Sequence, residues 1–349
     1  MKIDRIELQP AYSISRVIKG GWHLAGGHGS IEEQAAIDDM RSFVEAGITT
    51  FDCADIYTGV EELIGRFLRL NKDAFRAGEL APVQIHTKYV PDYNALATLT
   101  KADTEAIIDR SLQRLWVERL DLVQFAWWNY DIPGYVETAV HLAELQQKGK
   151  IRHIGVTNFD AAHLEEILQA GVKVAANQLQ YSLLDQRPVN DMDELSITHN
   201  IPYLCYGVVA GGFLSDRYLG LAAPAKPLEN RSLVKYRLII DEFGGYDLFQ
   251  ELLVTLRRIA DKHEVGIAEI ACRFILDKST VAGIIIGARN RKHLAKLQQL
   301  SSFSLDEADV KAITDIQAQA TGPYGPVYDL ERDKTGKHGS IMRYNINAQ

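Results

Sequence analysis

Asp52, Tyr57 and Lys88 are the residues whose types and positions best suit proton chemistry. Asp52 closes a short apolar run, Ile48 to Asp52, and Tyr57 follows in the turn before a helical stretch from Glu61 to Leu70. Lys88 lies at the end of a second apolar run, Val83 to Tyr89. An ammonium beside a phenol stabilises the phenolate, lowers the tyrosine pKa and readies the hydroxyl as a proton donor to a developing alkoxide. A carboxylate holding the lysine keeps it charged and aimed. Taken singly, Asp52 serves equally well as a helix cap and Tyr57 as loop packing.

Further polar residues stand at the ends of other apolar runs. Asn158 follows His153 to Thr157, and Gln178 ends Val174 to Gln178. Such amides suit a carboxamide ligand, which needs both a donor and an acceptor. Tyr206 offers a face for a flat ring. Gly287, followed by Arg289, Arg291 and His293, fits a phosphate site of backbone amides and fixed charge, and equally a solvated basic helix end.

The elements that must position these residues alternate along the whole chain. Strands are expected over 14–20, 48–52, 83–89, 120–125, 153–157, 174–178, 202–206 and 281–286, each separated from the next by a helical stretch. Ser30 is the expected cap of the first helix, Glu32 to Ala46, and a last helix is expected from Arg291 to Leu300. Eight such units imply parallel pairing through helical crossovers and a closed (β/α)8 TIM barrel, whose chemistry sits on the strand-to-helix loops. An open doubly wound sheet would call for Gly-x-Gly-x-x-Gly after the first strand, and GGWHLAGG lacks that spacing. An N-terminal β-hairpin precedes the barrel. Residues 207–235, rich in Gly and Pro, read as a long connection of the functional kind. The chain 1–349 is expected to form a single barrel domain, its core spanning about 14–300, with an extended C-terminal tail over about 320–349 that lacks periodicity.

Composition bounds the partners. A net charge of −8 with scattered basic residues argues against nucleic acid and membrane surfaces. The amino terminus carries no signal-like apolar run, and no segment reaches spanning length. Cys53, Cys205 and Cys272 lack pairing or metal spacing, so free buried thiols in a cytoplasmic setting are expected, with no metal. The sequon Asn230-Arg231-Ser232 reads as chance.

GITTFDCADIYTGVEELIG at 47–65, IHTKY, GVTNF, NQLQYSLLDQRP, YGVVAGGFL and IIIGARNRKHL occur in this order, and together they resemble the aldo-keto reductase superfamily from about Ile14 to Leu300. The resemblance implies NAD(P)H-dependent reduction of an aldehyde or ketone, or the reverse oxidation. It implies Tyr57 as general acid, tuned by Lys88 and Asp52. Thr157, Asn158 and Gln178 would hold the nicotinamide carboxamide, with Tyr206 stacked on its ring and Gly21, Trp22 and Asp52 beside it. Gly207, Gly212, Leu214 and Arg217 would follow the pyrophosphate. Gly287, Ala288, Arg289 and His293 would surround the adenosine phosphate, Arg289 favouring NADP(H) over NAD(H). Trp22, Tyr57, Trp127 and Trp128 would wall the pocket for a small carbonyl or alcohol substrate.

The family's active-site histidine falls on Ala126, in LDLVQFAWWNY. The neighbouring indoles only donate, and alanine orients nothing. Losing one preorganised donor costs roughly 3 to 4 kcal/mol of transition-state stabilisation. Three readings therefore stay open: a carbonyl reductase weakened at this position, redox-neutral isomerase, lyase or cyclase chemistry on the same barrel, and a nicotinamide-binding sensor with vestigial turnover. The tail either folds over the barrel mouth, contacts another subunit of a homo-oligomer, or is disordered.

Overall fold

The computed structural model describes residues 3–25, 31–189, 191–225, 227–288 and 290–347, with the side chain of Asp191 excepted. The expected residues Ser30 and Arg289 lie outside the described residues.

Strands β1 (Arg5–Gln9) and β2 (Tyr12–Ser15) form an antiparallel hairpin. The barrel is built from β3 (Val17–Gly20), β4 (Thr50–Asp52), β5 (Gln84–Tyr89) and β6 (Leu120–Phe125). It is completed by β7 (Ile151–Thr157), β8 (Val174–Gln180), β9 (Tyr203–Tyr206) and β10 (Val281–Ile286). These eight strands pair in parallel in sequence order, and β10 closes back onto β3. The closed eight-stranded α/β barrel expected from the alternation is what forms.

Helices α1 (Glu33–Glu45), α2 (Val60–Leu70), α3 (Lys72–Arg76) and α4 (Lys101–Leu115) surround the first half. The second half carries α5 (Tyr135–Gln147), α6 (Ala161–Gln169), α7 (Asp191–His199), α8 (Arg231–Phe243), α9 (Gly245–Lys262) and α10 (Ile267–Leu276). Last come α11 (Leu294–Gln299), α12 (Glu307–Gln317) and α13 (Asp329–Arg332). The cap of α1 is Glu32, whose carboxylate accepts from the Gln34 and Ala35 amides, two donors the helix itself leaves unsatisfied.

The apolar faces of the helices and the outward faces of the strands make the larger core. A second cluster fills the inside of the barrel, where Leu8, Tyr12 and Ile14 from the hairpin meet Leu122, Leu204 and Ile285. One end of the barrel is thus plugged by the hairpin, and the carboxyl ends of the strands remain for a site. Cys53, Cys205 and Cys272 are buried and free. No helix among the described residues is long and apolar enough to cross a membrane.

Three expectations need correction. The segment 207–235 is not one irregular connection, because α8 begins at Arg231 and buries Leu233, Tyr236, Ile240 and Phe243 at helical spacing. The helix expected from Arg291 to Leu300 resolves into a 3-10 turn, Arg291–His293, and the six-residue α11. The tail is not extended coil. It contains α13 and a 3-10 turn at Gly339–Ile341, and it buries Glu331 and His338.

Candidate active site

Register brings the polar strand ends together. Asp52 pairs with His86, and Lys88, two residues further along β5, points to the same face and lies level with Gln124 of β6. Lys88 Nζ donates to Asp52 Oδ2 at 2.7 Å and to the Cys53 carbonyl at 2.9 Å. Asp52 Oδ1 accepts from Gln124 Nε2 at 3.1 Å and from Gln178 Nε2 at 2.6 Å. Both charges are almost fully buried, with side-chain exposures of 6% and 4%. A buried pair survives only when its remaining lone pairs and protons are satisfied, and the two glutamines meet that condition. Gln124 was not among the expected residues; its alignment with Lys88 across neighbouring strands is the signal that marks it.

Tyr57 sits in the turn after β4, held by its own amide on the Ala54 carbonyl and by the Val60 amide on its carbonyl. Trp22 packs edge-on to its ring at 5.1 Å between centroids, and Lys88 Nζ lies 4.9 Å from the ring centroid. Burial raises the Tyr57 pKa, and the Lys88 ammonium only partly reverses this. The net shift is upward, against the expectation of a lowered value, because desolvation of the phenolate outweighs one shared cation. Burial would lower the Lys88 pKa, but Asp52 and Tyr57 more than compensate, so it stays charged. The result is a protonated phenol against a permanent ammonium.

These groups open on a cavity of about 510 Å³. Asp52, Tyr57, Lys88 and Ala126 stand in its wall, with Trp22, Trp127 and Trp128. Thr157, Asn158, Gln178, Tyr206, Gly207 and Gly287 also contribute. Gly21, Gly212, Leu214, Arg217, Ala288 and His293 are not part of this wall. Gly21 donates its amide to the Asp52 carbonyl, Leu214 and Ala288 are buried, and Arg217 is exposed and paired with Glu229. His293 lies exposed in the turn before α11.

Two amides face the cavity with opposite capacities. Gln178 has its Nε2 committed to Asp52 and to Gln124 Oε1, which leaves Oε1 as its acceptor. Asn158 takes a left-handed backbone, φ 62°, tolerable for asparagine, and its Oδ1 accepts from the Tyr206 hydroxyl at 2.8 Å, leaving Nδ2 to donate. The Tyr206 ring is shared with Lys235, whose Nζ lies 5.0 Å from its centroid. A Cβ on Gly287 would fall 1.9 Å from the His23 ring, and one on Gly207 would fall 2.5 Å from the Tyr236 hydroxyl. At Gly287 a side chain would displace the His23 ring, and at Gly207, with φ 77°, it would be strained as well as crowded. At Ala126 the wall offers only a methyl group. The adjacent indole N–H groups are consumed internally, Trp127 on the Ile132 carbonyl and Trp128 on that of Pro91.

The tail completes the wall through Tyr328, Ile341, Met342, Arg343 and Ile346. Arg332 donates to the carbonyls of Trp127, Trp128 and Asn158 and to the Tyr130 hydroxyl. Glu331, wholly buried, pairs with Arg187 at 2.9 Å and Lys235 at 3.6 Å, and Arg187 also holds Asp185 at 2.7 Å. Further along, Asn347 donates to the Val90 carbonyl at 2.8 Å and to Asp55 at 3.3 Å. Folding over the barrel mouth, one of the arrangements open for the charged tail, is the one seen, but the sequence does not mark Arg187, Asp185, Lys235 or Asn347 as parts of the latch.

The model of the Aldo/keto reductase family matches residues 16–318. The chain belongs to that family. It is 25% identical over 331 residues to aldo-keto reductase YhdN of Bacillus subtilis, covering 90% of this chain and 93% of that protein. It is 24% identical to the NADH-specific methylglyoxal reductase of Escherichia coli, covering 85% of this chain and 93% of that enzyme. Among solved structures, a glycerol dehydrogenase from Gluconobacter oxydans superposes with a TM-score of 0.76 at 23% identity, over 93% of this chain and 98% of the other. That likeness concerns the fold.

A nicotinamide carboxamide would find complementary partners here, its oxygen facing Asn158 Nδ2 and its amide facing Gln178 Oε1. The residues present fit such a group.

Proposed function

We propose that this chain is an NAD(P)H-dependent oxidoreductase that reduces an aldehyde or ketone to an alcohol, with 1–349 acting as one unit and the tail forming part of the site. The observation that carries this reading is the meeting of Tyr57 with the buried Asp52–Lys88 pair in the same cavity as the two complementary amides. When bound, the reduced nicotinamide supplies a hydride to the carbonyl carbon. Thr157, Asn158, Gln178 and Tyr206 would bind and orient its ring, which shares the Tyr206 phenol with the Lys235 ammonium.

The chain's own task is proton delivery. Tyr57, a phenol whose pKa burial moves further up from its ordinary value, holds its proton at neutral pH and meets the carbonyl as an acid. As the oxygen gains charge, Tyr57 gives up its proton, and Lys88 stabilises the phenolate left behind. Asp52, fixed by two glutamine amides, keeps Lys88 charged and stationary. Trp22, Trp127 and Trp128 exclude water from the reacting centre. NADP(H) as the preferred cofactor rests on Arg289 alone, and the comparison with an NADH-specific relative keeps NAD(H) in view. The test is loss of NADPH or NADH absorbance with a panel of aldehydes; no turnover on any of them overturns this reading.

One observation favours a second reading. With Ala126 offering only a methyl group and the Trp127 and Trp128 indoles committed elsewhere, none of these three positions gives the carbonyl a donor beside Tyr57. Slow turnover beside firm cofactor binding, a sensor's behaviour, is the outcome that would select it.

A further inference from the structure

The two ends of the cavity differ in charge. At the inner end the charged residues of the wall, Asp52 and Lys88, neutralise each other. Toward the tail the wall carries Arg231, from the first turn of α8, and Arg343, from the segment after Gly339–Ile341. Lys235 follows Arg231 by four residues on the same face of α8, but it belongs to the cluster of Arg187, Asp185 and Glu331, whose two acids balance its two bases.

Arg231 and Arg343 have no ion-pair partner among the described residues. Arg231 donates from Nη2 to the Ile341 carbonyl at 2.6 Å, which fixes the guanidinium without neutralising it. Burial and the nearby Arg343 charge both disfavour its protonated form. Asp52 is the only acid in the described wall, and its oxygens are occupied. Two like charges, one half-buried at Arg231 and one exposed at Arg343, lie near each other where the described residues supply no counter-charge. An arriving anion would relieve that repulsion, and guanidinium forks match carboxylate and phosphate oxygens. The same wall also carries the apolar side chains of Trp128, Val234, Met342 and Ile346.

We propose that Arg231 and Arg343 form a substrate anion subsite, so that the preferred substrates carry a carboxylate or phosphate at the end remote from the carbonyl. This rests on the carbonyl-reducing reading above. The anionic group is held and not changed: the hydride goes to the carbonyl carbon and the Tyr57 proton to its oxygen.

The experiment compares para-formylbenzoate with its neutral methyl ester, using the full chain and NADPH. The wild type should favour the carboxylate. In Arg231→Met/Arg343→Met its kcat/KM should fall by about tenfold to hundredfold, mainly through KM, while the ester changes by less than about threefold. Arg343→Glu, at an exposed position, should reverse the preference without disturbing the fold. Equal losses on both compounds would overturn the proposal, as would a wild type with no preference. Weakened NADPH binding with substrate discrimination intact would also overturn it, placing the arginines on dinucleotide phosphates. If neither compound turns over, tryptophan quenching by para-formylbenzoate in the presence of NADP+ decides. Saturable quenching that the double variant loses keeps the subsite, while the panel of aldehydes decides the carbonyl-reducing reading separately; no saturable quenching overturns the subsite.

Discussion

Lys88 Nζ stands 2.7 Å from Asp52 Oδ2 in a pair almost closed to water, and two glutamine amides occupy the other carboxylate oxygen. Breaking such a pair from one side strands the other charge. Lys88→Met should therefore destabilise the protein by about 3 to 5 kcal/mol, read from urea denaturation midpoints. Adding Asp52→Asn should recover part of that loss, since no bare carboxylate then remains buried. A Lys88→Met variant as stable as wild type would mean the pair is not held as described.

Ala126 leaves a methyl group where a donor to the carbonyl oxygen would help. Ala126→His should raise kcat on reactive aldehydes by about tenfold to a thousandfold if its imidazole reaches the carbonyl. Unchanged kcat would show that a donor at position 126 takes no part in the reaction and favour altered chemistry on this barrel. The comparison is made by steady-state kinetics at fixed NADPH.

Asp55, two residues before Tyr57, is buried, and desolvation together with Glu61 pushes its pKa up to about 8 from 3.8. A carboxyl whose folded pKa is raised binds its proton more tightly in the native state. Stability from this group is therefore greatest below the unfolded value and falls as pH rises from about 4 to about 8. Asp55→Asn should flatten that decline. The check is the difference in denaturant midpoint between wild type and variant, which should grow in the variant's favour from about pH 5 to about pH 8. A constant difference would contradict the burial of an ionisable group here.

Arg332 ties the tail to three carbonyls beside the cavity, and Glu331 anchors it to Arg187 and Lys235. Arg332→Ala should cost about 2 to 4 kcal/mol and raise KM, because the tail then no longer closes the wall. Glu331→Gln should act in the same direction. Burial works against the Glu331 charge, but Arg187 and Lys235 hold its pKa down to about 2. The latch then persists above the ordinary glutamate range and weakens only as pH falls below it. Limited proteolysis near the carboxyl end measures the loosening directly.

Much of this architecture was legible before any coordinates. Eight short apolar runs, each followed by a helical stretch, leave a closed parallel barrel as the economical arrangement, and Asp52, Lys88, Asn158, Gln178 and Tyr206 could be assigned to its mouth by their place at strand ends. The sequence carries no distances between strands, so nothing in it marks Gln124, which completes the Asp52 environment. Helix α8 hid behind a Gly- and Pro-rich stretch, despite the helical spacing of Leu233, Tyr236, Ile240 and Phe243. The tail's role was the least legible. Glu331 and Arg332 fit a tail folded over the mouth and one set against another subunit equally well; charged side chains are seldom buried, and only the partners contributed by distant segments make their burial tolerable. The direction of the Tyr57 shift likewise depends on how closely the wall excludes water, which no spacing rule conveys.

If Tyr57 delivers the proton that completes carbonyl reduction in this cavity, its phenol oxygen is the atom to remove. Tyr57→Phe removes one oxygen from a half-buried ring and leaves the Asp52–Lys88 pair in place. Measured side by side with wild type, it should lose about a hundredfold to ten-thousandfold in kcat on an aldehyde, while NADPH binding by fluorescence titration changes by less than about threefold. Retained turnover in the variant, or a wild type that neither binds NADPH nor reduces any aldehyde, would contradict the account.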